Sequence, residues 1–97
     1  MMRILVVEDQ ADIRRLIRWS LEEGDYEIFE ATNGRMGLDA ARALRPDLVL
    51  LDVMMPGELD GFQVCTQLRA DPAHAALPIV MLTARAQVSD RRAGELA

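Results

Sequence analysis

LVLLDVMMPG, residues 48–57, runs four apolar residues into a single carboxylate, Asp52, and turns at Pro56-Gly57. An unbroken apolar run of this length, without alternation, is the pattern of a strand buried on both faces. Ending such a strand on a charge needs a reason, because a carboxylate taken out of water is costly unless something compensates it.

Two other segments share the pattern. Ile4–Val7 is a short apolar run followed at once by Glu8-Asp9, and Ile79–Leu82 is another, followed by Thr83-Ala84. Between these runs the periodicity changes. Residues 11–23 have helical spacing, with Ile13, Leu16, Ile17 and Leu21 on one face and Arg14, Arg15, Arg18 and Glu22 elsewhere. Trp19 falls near the apolar edge of that helix and is expected to pack. Gly24 reads as a helix stop. Residues 26–31 alternate, as in a less buried strand at a sheet edge. Thr32-Asn33-Gly34 starts a helix carrying Met36, Leu38, Ala40, Ala41 and Leu44, which closes at Arg45-Pro46. Phe62, Cys65 and Leu68 fall roughly in line on a third helix, residues 62–69, and ADPAHAALP (70–78) is a loop. Ser89 or Asp90 is suited to cap a last helix.

The order is therefore β-α-β-α-β-α-β-α, which implies a parallel sheet covered by helices on both faces. Right-handed crossovers leave only a few topologies. A chain of 97 residues with no repeat or low-complexity tract fits one domain, residues 1–97. A net charge of −5 argues against a nucleic-acid surface. Cys65 is the single cysteine, so no internal disulfide can form, and a cytoplasmic setting is expected. Cys65 itself suits a small core residue better than a reactive thiol. The N-terminal apolar run is too short for a signal peptide, and no run approaches the roughly 20 residues that span a bilayer.

Ligand sites in open parallel sheets sit beyond the carboxyl ends of the strands, where strand order reverses. The residues at those ends are Glu8 and Asp9, Asp52, and Thr83-Ala84. If the first and third strands are neighbours, three carboxylates meet. Like charges at a half-buried site repel, and one must take up a proton unless a cation sits among them. Hard oxygen ligands suit Mg²⁺, and a carboxylate beside it can act as a nucleophile toward phosphorus. Acids at strand ends are also common for a duller reason, since strands end at solvent. The joint pattern is the informative one.

ILVVEDQADIRRLI (4–17), PDLVLLDVMMPG (46–57) with DGF (60–62), and LPIVMLTA (77–84) resemble the receiver domain of two-component response regulators, over essentially the whole chain. The resemblance implies a flavodoxin-like, doubly wound sheet with strand order 2-1-3-4 here, the family's fifth strand being absent from these residues. It implies that Asp52 is the phosphoacceptor. Asp9, Asp52 and the main-chain carbonyl of Met54 would hold Mg²⁺, with Glu8 acting through a water. Thr83 would supply a switch hydroxyl and Ala84 a backbone N–H. The phosphoryl donor would be a sensor histidine kinase or a histidine phosphotransfer protein, met by the outer face of the first helix. Chemistry would be confined to gain and loss of phosphate at Asp52, and the domain would not be a stand-alone enzyme. Met54 and Arg85 would line the path of the hydrolysing water, with Met54 slowing dephosphorylation.

Two features depart from the family. MMPGELDGF (54–62) is one residue longer than the commonest pattern. All eleven basic residues are arginine, so the lysine of the family's fifth strand has no counterpart in these residues. Arg85 is a poor substitute for it. A shortened or incompletely recorded C-terminus is the favoured explanation over a natural truncation. If only these 97 residues are present in solution, the fourth strand is an apolar edge, and low stability or a homodimer through the fourth strand or fourth helix is expected. The alternative function is a phosphorylation-independent interaction module. A phosphatase is the weaker third, because Met54 stands where such enzymes carry a second acid. His74 has no second His or Cys at ligand spacing, so no metal role is expected there. Met55 is expected to be a buried loop base, and Arg91-Arg92 a solvated helix face.

Overall fold

A computed structural model describes residues 1–55, 57 and 59–82. The elements are β1 (Met2–Val7), α1 (Ala11–Ser20), β2 (Tyr26–Ala31), α2 (Gly34–Leu44), β3 (Leu48–Asp52), α3 (Gly61–Ala70), a 3-10 turn (Pro72–His74) and β4 (Ile79–Leu82). The four strands are parallel in the order β2-β1-β3-β4, as the sequence predicts. The chain leaves β1 toward one side of the sheet and returns to build the other side from β3. The order therefore reverses between β1 and β3, and their carboxyl ends flank a crevice. The register pairs Val7 with Leu51, which sets Glu8 and Asp52 beside each other one residue further on.

Local chemistry places α2 and α3. Asn33 caps α2 by accepting from the Met36 N–H at 2.8 Å. Asp60 and Gln63 form a reciprocal capping box at the start of α3, 2.9 and 2.8 Å. Arg45, in the left-handed region at φ 49°, closes α2.

The main core cluster lies on one face of the sheet, while Ile4 and Val6 are buried on the other. In the main cluster, Leu5, Val7, Val49 and Leu51 pack against Leu38 and Ala41 of α2, Val64 and Leu68 of α3, and Met55 and Leu59 of the connecting loop. Burying a side chain of this size contributes about 1.5–3 kcal/mol, so this cluster is the main attractive term. The other face carries α1, none of whose residues is fully buried.

Three expectations about side chains are corrected. Trp19 does not pack: it is 68% exposed. Ile13, Ile17 and Leu21, four residues apart, are the half-buried row of this segment. Trp19 stands two residues from Ile17, about 200° around the helix at 100° per residue. Leu16, counted with the apolar face, is exposed for the same reason, about 100° from Ile17. Phe62 is not in line with Leu68. The buried row of α3 is Gly61, Val64 and Leu68, and Phe62 points to solvent. The first helix also ends at Ser20, earlier than residue 23. Met55 is buried as expected, and Cys65 packs half-buried against the core. Pro56, Thr83, Ala84, Arg85, Ser89, Asp90, Arg91 and Arg92 lie outside the described residues.

Candidate functional site

Beyond Val7 the chain continues to follow β2, because the Glu8 N–H donates to the Ala31 carbonyl at 3.0 Å. This carries the Glu8 side chain into the crevice, where it is 1% exposed. One of its oxygens, Oε1, accepts from the Gln10 N–H at 3.0 Å. The other, Oε2, is buried and has no hydrogen-bond partner among the described residues.

Asp52 enters from the neighbouring strand and is also 1% exposed. Its Oδ1 accepts from the Met54 N–H at 3.0 Å, so the turn after β3 is folded back onto its own carboxylate. The start of α3 packs directly on that strand end: a Cβ on Gly61 would collide with the Asp52 carbonyl oxygen and the Val53 Cα. Glycine is required there by the close approach of two backbones.

Glu8, Asp9 and Asp52 each offer an oxygen, and these oxygens all lie within 4.8 Å of one another. The three carboxylates drawn together in the sequence are thus together in space. Burial is the main force pushing the Glu8 carboxyl up to about 7, from an ordinary 4.5. The neighbouring Asp9 and Asp52 carboxyls add to it, and the Gln10 N–H opposes it. A buried carboxylate oxygen lacking a donor, with two further acids around it, is a donor set for a small hard cation. Mg²⁺ fits this chemistry. No described helix is long and apolar enough to cross a membrane.

A family model, the response regulator receiver domain, matches residues 4–95. The chain belongs to the response regulator receiver family. This receiver domain is 50% identical over 92 residues to the response regulator MprA of Mycolicibacterium vanbaalenii, covering 95% of this chain and 38% of that protein. It is 42% identical over 94 residues to RpaA of a Synechocystis species, described as a DNA-binding dual master transcriptional regulator, covering 97% of this chain and 39% of that protein. The chain therefore spans about two-fifths of the length of these relatives. Among solved structures, a chemotaxis protein CheY4 from Vibrio cholerae superposes with TM-score 0.80 at 30% identity, over 99% of this chain and 79% of that one. A putative response regulator from Chloroflexus aurantiacus gives 0.83 at 32% identity, over 98% and 77%.

Of the residues singled out in the sequence, Met54 lies at the mouth, 53% exposed, with its N–H on Asp52. Thr83, Ala84 and Arg85 lie outside the described residues. Two arrangements were not legible. His74 is a buried ring, 6% exposed, held at Nδ1 by Asp71 and at Nε2 by the Ala41 carbonyl, both at 3.2 Å. The only cue was Asp71-Pro72 as the cap of a short turn. Arg14, read as a residue away from the apolar face, reaches the main chain of Glu8.

Proposed function

We propose that this receiver domain is a phosphoryl-accepting switch of a two-component system, with Asp52 as acceptor. The observation that carries the reading is the convergence of Glu8, Asp9 and Asp52 oxygens within 4.8 Å. Asp9, Asp52 and the Met54 carbonyl would hold Mg²⁺, with Glu8 acting through a water. Bound there, Mg²⁺ supplies positive charge against the phosphoryl oxygens.

The acceptor oxygen of Asp52 attacks the phosphorus of a phosphohistidine on a sensor histidine kinase or a histidine phosphotransfer protein. The P–N bond breaks, the electron pair leaves with the imidazole, and an acyl phosphate remains on Asp52. Asp52 is suited to this because its strand and the closely packed start of α3 position its backbone. Its Oδ1 is oriented by the Met54 N–H. Thr83 and the Ala84 N–H are proposed to meet the phosphoryl oxygens, and Met54 to slow attack by water. The phosphorylated form shifts the population that its partner reads. A cytoplasmic setting and the absence of direct nucleic-acid or membrane contact belong to this proposal, as does residues 1–97 acting as one receiver unit.

The test is binding of beryllofluoride, a phosphoryl mimic. Binding that requires Mg²⁺ and is abolished by Asp52→Ala supports the switch. The alternative reading is an interaction module indifferent to phosphorylation. It predicts equal partner or self-affinity with and without a phosphodonor.

A further inference from the structure

We propose that Arg14 is a positioning residue for the acidic pocket: its guanidinium fixes the Glu8 main chain, and with it the direction in which the Glu8 and Asp9 carboxylates face. The metal-binding half of the test rests on the function proposed above; the half read from amide exchange does not.

Arg14 Nη1 donates to the Glu8 carbonyl oxygen at 2.8 Å, and Nε donates to Glu30 Oε1 at 3.2 Å. Its side chain is only 17% exposed, although it springs from a helix with no fully buried residue. The Arg14 N–H donates to the Gln10 carbonyl at 3.0 Å, and the Gln10 N–H donates to Glu8 Oε1 at 3.0 Å. The three-residue bend from Glu8 to Gln10 is therefore gripped at both ends. The described pairing of β1 with β3 ends at Val7 and Leu51, and the Glu8 N–H is committed to β2. The Glu8 carbonyl lies past that ladder, where Arg14 supplies its donor.

The chemistry of the choice is specific. A cation placed on the carboxylates would occupy the lone pairs a metal needs. Arg14 binds the peptide oxygen instead and directs its ion pair outward to Glu30, leaving the acid oxygens facing the crevice. A planar fork with several fixed N–H groups can serve two acceptors in this way; a lysine ammonium on a flexible stem is poorly matched to it.

Arg18 provides the internal control. It also pairs with Glu30, at 2.6 Å, and carries the same charge on the same helix. Its remaining bond goes to the Ile28 carbonyl at 3.5 Å, not to the Glu8–Gln10 bend.

The experiment compares wild type, Arg14→Ala, Arg14→Lys and Arg18→Ala by two readouts: hydrogen exchange at the Gln10 amide without metal, and Mg²⁺ affinity by calorimetry. Arg14→Ala is expected to speed Gln10 exchange and to weaken Mg²⁺ binding about tenfold, the low end for groups that orient metal ligands. Arg18→Ala should stay within about twofold of wild type in both, and Arg14→Lys should fall between. If Arg14→Ala does not fold, as judged by far-UV circular dichroism, the Lys variant decides by the same readouts. Equal effects of the Arg14 and Arg18 variants, or no effect of either Arg14 variant on Gln10 exchange, would overturn the proposal. If wild type binds no Mg²⁺ while Gln10 exchange still depends on Arg14, the metal reading falls and the positioning role stands.

Discussion

Glu8, just past β1, and Asp52, the last residue of neighbouring β3, are both 1% exposed and bring carboxylate oxygens within 4.8 Å of each other. Two buried acids this close define the behaviour of the domain without metal. The Glu8 carboxyl is raised from 4.5 to about 7, so the folded state holds a proton that the unfolded chain releases above 4.5. The folded state binds more protons in that window, and metal-free stability must therefore fall as pH rises from about 4.5 to 7. Thermal melts in a metal chelator across this range check the slope. Glu8→Gln should flatten it.

Asp52→Ala removes a charge from the cluster as well as the proposed acceptor. Metal-free stability at pH 7.5 should hold or rise, because like-charge repulsion is relieved. Beryllofluoride binding, followed by ¹⁹F NMR, should vanish. An Asp52→Ala protein that still binds the mimic would place the acceptor elsewhere.

Gly61→Ala forces a methyl group against the Asp52 carbonyl oxygen. Overpacking of this kind costs about 1–3 kcal/mol. Denaturant unfolding should report a loss in that range, accompanied by weaker Mg²⁺ binding, because the strand end that carries Asp52 must move. Unchanged stability would mean that α3 and β3 are not in close backbone contact.

His74→Ala removes the ring that ties the 3-10 turn to Asp71 and to the Ala41 carbonyl of α2. Leaving buried groups without partners costs about 1–3 kcal/mol. The expected result is a lower melting temperature with Mg²⁺ affinity unchanged, since His74 stands outside the acid cluster.

The sheet was legible because β2 alternates and the other three strands carry unbroken apolar runs, two of which change character abruptly at their ends: Val7 to Glu8, Leu51 to Asp52. Period and length distinguish such runs from helices, and chain alternation supplies the parallel order. The acid cluster was legible for the same reason, since strand order puts those ends together whatever the loops do. Side-chain burial on the helices was less so. A helical stripe shows which residues share a face but not how much of that face the sheet covers, and so Leu16, Trp19 and Phe62 are exposed where their spacing suggests packing. Arg14 and His74 were invisible for a different reason. Each bonds a main-chain carbonyl, and every residue has one, so no residue type at any spacing announces such a partner.

The central claim is that Glu8, Asp9 and Asp52 form one pocket for a divalent cation, and calorimetric titration of the metal-free protein with Mg²⁺ at pH 7.5 tests it most directly. At ten times its Kd, Mg²⁺ would stabilise the fold by about 1.4 kcal/mol, raising the melting temperature by roughly 5–10 °C for a domain this small. The account predicts one saturable site, lost in Asp9→Asn and in Asp52→Asn. No saturable binding by wild type, or binding that survives both substitutions, would contradict it.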